Sequence, residues 1–136
     1  MSSTPATLEV LAEQPIPTWF GIGGKARRLA KPATIEELRE CLRLDPALRV
    51  LGDGANLLVA DEGVSELVVS LAQGDFARFS VEDEGAHAIV RAGAGVNLPK
   101  LIHEGVRLGL GGLEGLGGIP ASIGGAVMMN AGGAFA

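Results

Sequence analysis

The chain carries one cysteine (Cys41), two histidines and, beyond Arg107, a single charged residue, Glu114. Each scarcity excludes something. One cysteine rules out an internal disulfide framework and fits a reducing compartment. His87 and His103 have no partner at ligand spacing, and no grouping of His, Cys or carboxylates has the spacing of a metal site, so no metal is expected. Positive charge is short as well. The net charge of −5 and pI of about 5.0 argue against non-specific nucleic-acid binding. The Walker pattern is missing: Gly21-IGGKA has Gly-Lys but not the spacing, and Ala26 stands where a Ser or Thr would hold magnesium. Met1 to Pro17 shows neither a basic n-region nor a continuous apolar run, so the expected location is cytoplasmic. The longest uncharged stretch, Gly115 to Ala136, has the 22 residues a bilayer span needs. Its seven glycines, Pro120 and Asn130 leave large apolar residues too sparse, and it reads as a buried, ligand-cradling segment with no membrane partner.

What the chain has in quantity is glycine. Gly109 to Gly133 holds ten in 25 residues. Glycine lets the backbone approach a ligand and turn its amides toward it. With few charged side chains nearby, amides and helix ends must do the holding, and phosphates are their natural guests. The 136 residues and 47% hydrophobic content suffice for one domain with a core.

Residues 1–17 read as a loose lead-in with three prolines, and the domain proper as 18–136. A turn through GIGGKA feeds a strand at Arg27 to Ala30. Residues 34–44 read as a helix: Thr34 caps it, Glu37 completes a capping box, and Ile35, Leu38, Cys41, Leu42 and Leu44 make one apolar face. Asp45-Pro46 ends it. Cys41 on that face reads as a core thiol. Short strands follow at Arg49 to Leu51 and Leu67 to Val69, with apolar character resuming at Leu57-Leu58-Val59. Phe76 to Val81 and His87 to Arg91 alternate like a hairpin around the acidic turn Glu82 to Gly85. Asn97 caps a second helix with Leu98, Leu101, Ile102 and Val106 on its buried face, stopped by Gly109. This order predicts a mixed α and β domain.

Two segments share Gly-x-Gly-x-Asn-Leu after a strand: Gly52-Asp53-Gly54-Ala55-Asn56-Leu57 and Gly93-Ala94-Gly95-Val96-Asn97-Leu98. Neither has the third glycine of a dinucleotide fingerprint. The second copy is explained by its helix cap and is assigned to structure. For the first, set between two strands, an amide nest for an anion and a plain tight turn both fit. A third site is Ile119-Pro120-Ala121-Ser122-Ile123-Gly124-Gly125. Proline stiffens the approach, Ser122 can cap a short helix, and Gly124-Gly125 permits close packing. Charge depletion favours a ligand there over packing alone.

Taken together, TWFGIGGKAR, VLGDGANLLVADEG, VRAGAGVNLPKL and GLEGLGGIPASIGGAVMMNAGGAF resemble, in order and spacing, the N-terminal part of the UDP-N-acetylenolpyruvoylglucosamine reductases, also called UDP-N-acetylmuramate dehydrogenases. The resemblance implies an α+β fold of the type shared by p-cresol methylhydroxylase and vanillyl-alcohol oxidase (PCMH/VAO), with two small subdomains and FAD between them. It implies a front part of a longer enzyme, without its substrate-binding domain; a natural stop codon after Ala136 with no related frame beyond would count against that. It implies that Gly52, Asp53, Gly54, Ala55, Asn56 and Leu57 receive the FAD diphosphate. Ile119, Pro120, Ala121, Ser122, Gly124, Gly125 and Asn130 would line its other side and the flavin. NADPH is the implied hydride donor and a UDP-sugar the implied substrate. The family's catalytic serine, arginine and glutamate fall downstream of the matched segment, so no catalytic residue is assigned. Ala121 departs from the family's usual glycine and adds a methyl at a close-approach point.

Overall fold

The structure, a computed structural model, describes residues 8–133; the expectations for 134–136 lie outside them. Four strands form the main sheet: β1 (Val10–Pro15), β2 (Lys25–Ala30), β3 (Arg49–Leu51) and β4 (Val64–Ser70), in the order β1-β2-β4-β3. β1 runs antiparallel to β2, while β2 and β3 both run parallel to β4. The helix α1 (Ile35–Leu44) lies between β2 and β3 in sequence.

α1 starts as its sequence dictates, with one adjustment. The Thr34 hydroxyl accepts from the Glu37 N–H at 3.2 Å, but the Glu37 carboxylate reaches back to the Ala33 N–H at 2.6 Å, one residue earlier than a capping box places it. Asp45 ends the helix in extended backbone. The apolar stripe narrows on folding. Cys41 is fully buried and Leu38 packs beside it, whereas Ile35, Leu42 and Leu44 are exposed. Strand alternation divides the sheet's buried residues. Ala30, Leu67 and Val69 pack with Cys41, and Ala26, Leu29 and Val68 with Leu51. Removing side chains such as Leu67 from water contributes about 1.5–3 kcal/mol each.

The Asp45 carboxylate ties α1 to this sheet. It accepts from Arg28 at 2.6 Å, from the Leu67 N–H at 2.9 Å and from the Ala47 N–H at 3.0 Å. The Leu67 amide lies where the β2–β4 register shifts between Ala26 and Arg28. These donors, the Leu67 amide first, hold the Asp45 carboxyl below the usual carboxylate range.

Three expectations about strands need correction. Val10–Pro15 is not a loose lead-in but a strand paired with β2 over most of its length. Pro15 sits at its end, where the lost N–H is tolerated. Leu57 to Val59 is not a strand. Its chain is tied instead to the glycine turn before β2: the Gly24 and Gly63 N–H groups both donate to the Ala60 carbonyl, each at 2.9 Å. The hairpin begins later than Phe76. Gly74 to Ala77 is a 3₁₀ turn, held by an Asp75 N–H to Ala33 carbonyl bond of 2.9 Å, and β5 (Phe79–Asp83) and β6 (Ala88–Ala92) follow as a separate antiparallel pair.

After β6 come α2 (Leu98–Arg107) and the short α3 (Ile123–Met128). Asn97 caps α2 by accepting from the Lys100 N–H at 3.0 Å, Leu98 and Leu101 are buried, and Gly109 takes the left-handed turn at φ +73°. Val106, expected on the buried face, is exposed. Among the described residues no helix is long and apolar enough to cross a membrane. Nor is the uncharged segment buried along its length: Ser122 is 4% exposed, but Val127 is 77% and Met128 86% exposed.

Candidate functional site

The three glycine-rich segments singled out in the sequence converge. Gly52, just past β3, lies against the start of α3, where a β-carbon would come within 2.9 Å of the Ser122 Oγ and 3.9 Å of the Gly125 Cα. The Gly93–Leu98 copy sits beside the same helix start. Leu98 N–H donates to the Ala121 carbonyl, Ile123 N–H to the Val96 carbonyl and Gly124 N–H to the Ala94 carbonyl, each at 2.8 Å. A β-carbon on Gly124 would sit 2.9 Å from the Ala94 Cβ, so glycine is what allows this approach.

These bonds decide which amides remain for a ligand. Ser122 caps α3 as expected, its hydroxyl accepting from the Gly125 N–H at 3.2 Å. But Ile123, Gly124 and Gly125, the first turn of a six-residue helix, all donate within the protein. The helix start is therefore a packing joint, not an open anion site. In contrast, no backbone N–H from Asp53 to Asn56 donates to an acceptor among the described residues, while the turn through Ala55 and Asn56 closes at Leu57. Of the two readings left open for that loop, free amides favour the nest. Its shape is set from outside. Gly54 has φ +69°, donates nothing, and accepts from the Trp19 N–H at 3.1 Å; a β-carbon there would fall on the Pro17 carbonyl oxygen.

Not every expected site residue joins this cluster. Asn130 closes α3 at its far end, with φ +46° and its N–H on the Val127 carbonyl at 3.1 Å. The six-residue helix, about 9 Å long, lies between it and Ser122. Ile119 and Pro120 are half-buried on the approach to Ala121. Glu114, the last charge, serves its own loop: its carboxylate accepts from the Gly112 N–H at 2.6 Å, and its own amide and that of Gly112 lower its pKa.

Sequence reasoning missed two contributors. Pro17, Thr18 and Trp19, on either side of the assumed domain boundary, shape the Gly54 turn. Asn97, assigned only as a cap, also donates through Nδ2 to the Asp53 carboxylate at 3.0 Å. The repeated Gly-x-Gly-x-Asn-Leu was the signal that the copies belong together.

A family model described as an FAD binding domain matches residues 26–136. The chain belongs to this FAD binding domain family. The match covers both glycine-rich loops and α3. A UDP-N-acetylenolpyruvoylglucosamine reductase from Thermus thermophilus is 48% identical over 118 residues, covering 87% of this chain and 40% of the relative. One from Moorella thermoacetica is 44% identical over 135 residues, covering 95% and 43%. Among solved structures, the UDP-N-acetylenolpyruvylglucosamine reductase of Thermus caldophilus superposes with a TM-score of 0.75 at 45% identity, over 94% of this chain and 44% of that one. Cholesterol oxidase from B. sterolicum superposes at 0.69 with 21% identity, which shows the shared fold alone. The fold is thus the α+β, PCMH/VAO-type FAD-binding fold, and FAD is the cofactor this family of domains takes. The chain spans about two fifths of the length of the relatives it matches.

The residues present suit that cofactor. A run of undonated amides at Asp53–Asn56 offers what a diphosphate accepts from, and the glycine joint beside it lets three backbone segments close around one place.

Proposed function

We propose that this chain is the FAD-binding part of an NADPH-dependent reductase that converts UDP-N-acetylenolpyruvoylglucosamine to UDP-N-acetylmuramate, a precursor of peptidoglycan. The observation that carries the reading is the free-amide loop Asp53–Asn56, braced by Gly93–Leu98 and the α3 start. The 44–48% identity to reductases of that name supports the substrate. Within the site, the amides of Gly52 to Leu57 bind the diphosphate. Pro17 to Trp19 hold the loop's left-handed turn at Gly54, and Ala121 and Ser122 wall the site from α3. FAD, when bound, supplies the hydride chemistry that takes electrons from NADPH to the enolpyruvyl double bond. The chain's own residues bind and orient; none is assigned as proton donor. A narrower second reading is a module that binds FAD without turnover, which the amide-lined loop by itself would support.

Titration of the full chain with FAD, followed by flavin fluorescence, tests the first step. Saturable one-to-one binding is expected. A chain that stays colourless and ignores added FAD would sink the reading. Reduction of the enolpyruvyl sugar nucleotide by NADPH and this chain alone would overturn the claim that its residues only bind and orient.

A further inference from the structure

Asn97 meets three demands at once. Its Oδ1 accepts from the Lys100 N–H at 3.0 Å, which caps α2; its Nδ2 donates to the Asp53 carboxylate at 3.0 Å; and its backbone faces Ser122 in an isolated antiparallel bridge. The two side-chain bonds fix the amide's orientation, since exchanging oxygen and nitrogen would set a donor against the Lys100 N–H. Capping alone does not explain asparagine. Ser and Asp cap equally well, but Asp carries no donor, and the Ser hydroxyl ends one bond short of the amide nitrogen that reaches Asp53.

Asp53 makes the donation matter. Its carboxylate is the one full charge in the Gly52–Leu57 loop. A carboxylate free to swing over the amides of Asp53 to Asn56 would compete with an anionic guest for the same donors and repel it. Bonded to Asn97, it is held at the N-terminus of α2, a ten-residue helix whose dipole favours negative charge at that end. We propose that Asn97 is a positioning residue for the cofactor loop: it holds the Asp53 carboxylate against the start of α2 and so leaves the Asp53–Asn56 amides to the FAD diphosphate. The two copies of the repeated motif thus divide the work. The first presents amides, and the second uses its asparagine to restrain the charge beside them. The proposal rests on the reading of this loop as the FAD diphosphate site, and its test separates the two.

Asn97→Ser keeps a capping oxygen but draws the donor back, since a hydroxyl on the β-carbon ends one bond short of Nδ2. FAD affinity of the variant is expected to fall about ten-fold, the size of one charge-assisted hydrogen bond. In an Asp53→Ala background the same Asn97→Ser change is expected to alter affinity by less than about two-fold, because no charge remains to restrain. An equal loss in both backgrounds would mean that Asn97 acts only through the helix, and would overturn the proposal; so would unchanged affinity in Asn97→Ser. The backbone amide resonances of Asp53 to Leu57, recorded without FAD, give a second readout. Asn97→Ser is expected to shift or broaden them while those of Leu101 to Arg107 in α2 stay in place. Loop resonances that do not move would overturn the proposal whether or not the chain binds FAD. Failure of the unmutated chain to bind FAD, with the loop still responding, would instead strike the cofactor reading.

Discussion

Replacing Gly54 by alanine should injure the cofactor loop by two separable routes. Gly54 sits at φ +69°, and an L-residue there costs about 1–2 kcal/mol of backbone strain. The added methyl would also fall on the Pro17 carbonyl oxygen and within 3.0 Å of the Thr18 Cα, so backbone has to move, at about 1–3 kcal/mol for an overpacked contact. Gly85 provides the control. In the turn between β5 and β6 it has φ +83° with nothing within 4 Å of a β-carbon, so Gly85→Ala carries the strain alone. Thermal unfolding of both variants, at about 4 °C per kcal/mol, should lower the midpoint by about 4–8 °C for Gly85→Ala. Gly54→Ala should lower it by a further 4–12 °C or so. FAD titration should then show affinity kept in the first and lost by at least about ten-fold in the second, since 1.4 kcal/mol of loop distortion at the site suffices for that. Equal midpoints would refute the steric argument. A destabilised Gly54→Ala that still binds FAD with unchanged affinity would remove Asp53–Leu57 from the site.

Further outcomes follow from neighbouring contacts. Gly52→Ala should displace the Ser122 Oγ from its cap on Gly125, at about 1 kcal/mol, and urea unfolding should show that cost shrinking when Ser122→Ala removes the obstructing oxygen; equal costs in both backgrounds would contradict the contact. Asp45 has a lowered pKa in the folded chain, so its contribution is complete above the unfolded value near about 3.9 and is lost as pH falls through the folded value. The urea midpoint of Asp45→Asn should therefore lie below that of the unmutated chain at pH 7, with the gap closing as pH drops below about 4; a gap independent of pH would refute the assignment. Burial, followed by the nearby Glu37 and Glu40 charges, raises the pKa of the Cys41 thiol, so a thiol reagent should label the native chain slowly and the urea-unfolded chain fast. Fast native labelling would place Cys41 outside the core.

Much of this molecule was legible in its sequence because the signals were local. Thr34 and Asp45 bound α1, Asn97 and Gly109 bound α2, and Ser122 starts α3, since a cap needs only a side chain within a turn of the amides it serves. The glycine-rich loops could be found as candidate sites for the same reason. Where the reading failed, the deciding partner was distant. Val10–Pro15 looks like a lead-in until β2 supplies its hydrogen bonds. Leu57 to Val59 looks like a strand until the glycine turn before β2 claims its neighbours.

Sequence alone determined that the chain would rely on backbone amides: charge is almost absent after Arg107, and glycine is dense wherever the chain turns back on itself. Only the tertiary structure decided which amides are free. The first turn of α3 loses its donors to Ala94, Val96 and Ser122, while Asp53 to Asn56 keep theirs, because each N–H can serve one strong acceptor and the Gly93–Leu98 segment reaches α3. The Asp53–Asn97 bond was likewise beyond any local pattern, for its partners stand 44 residues apart and meet only when the two glycine loops close on the same helix end.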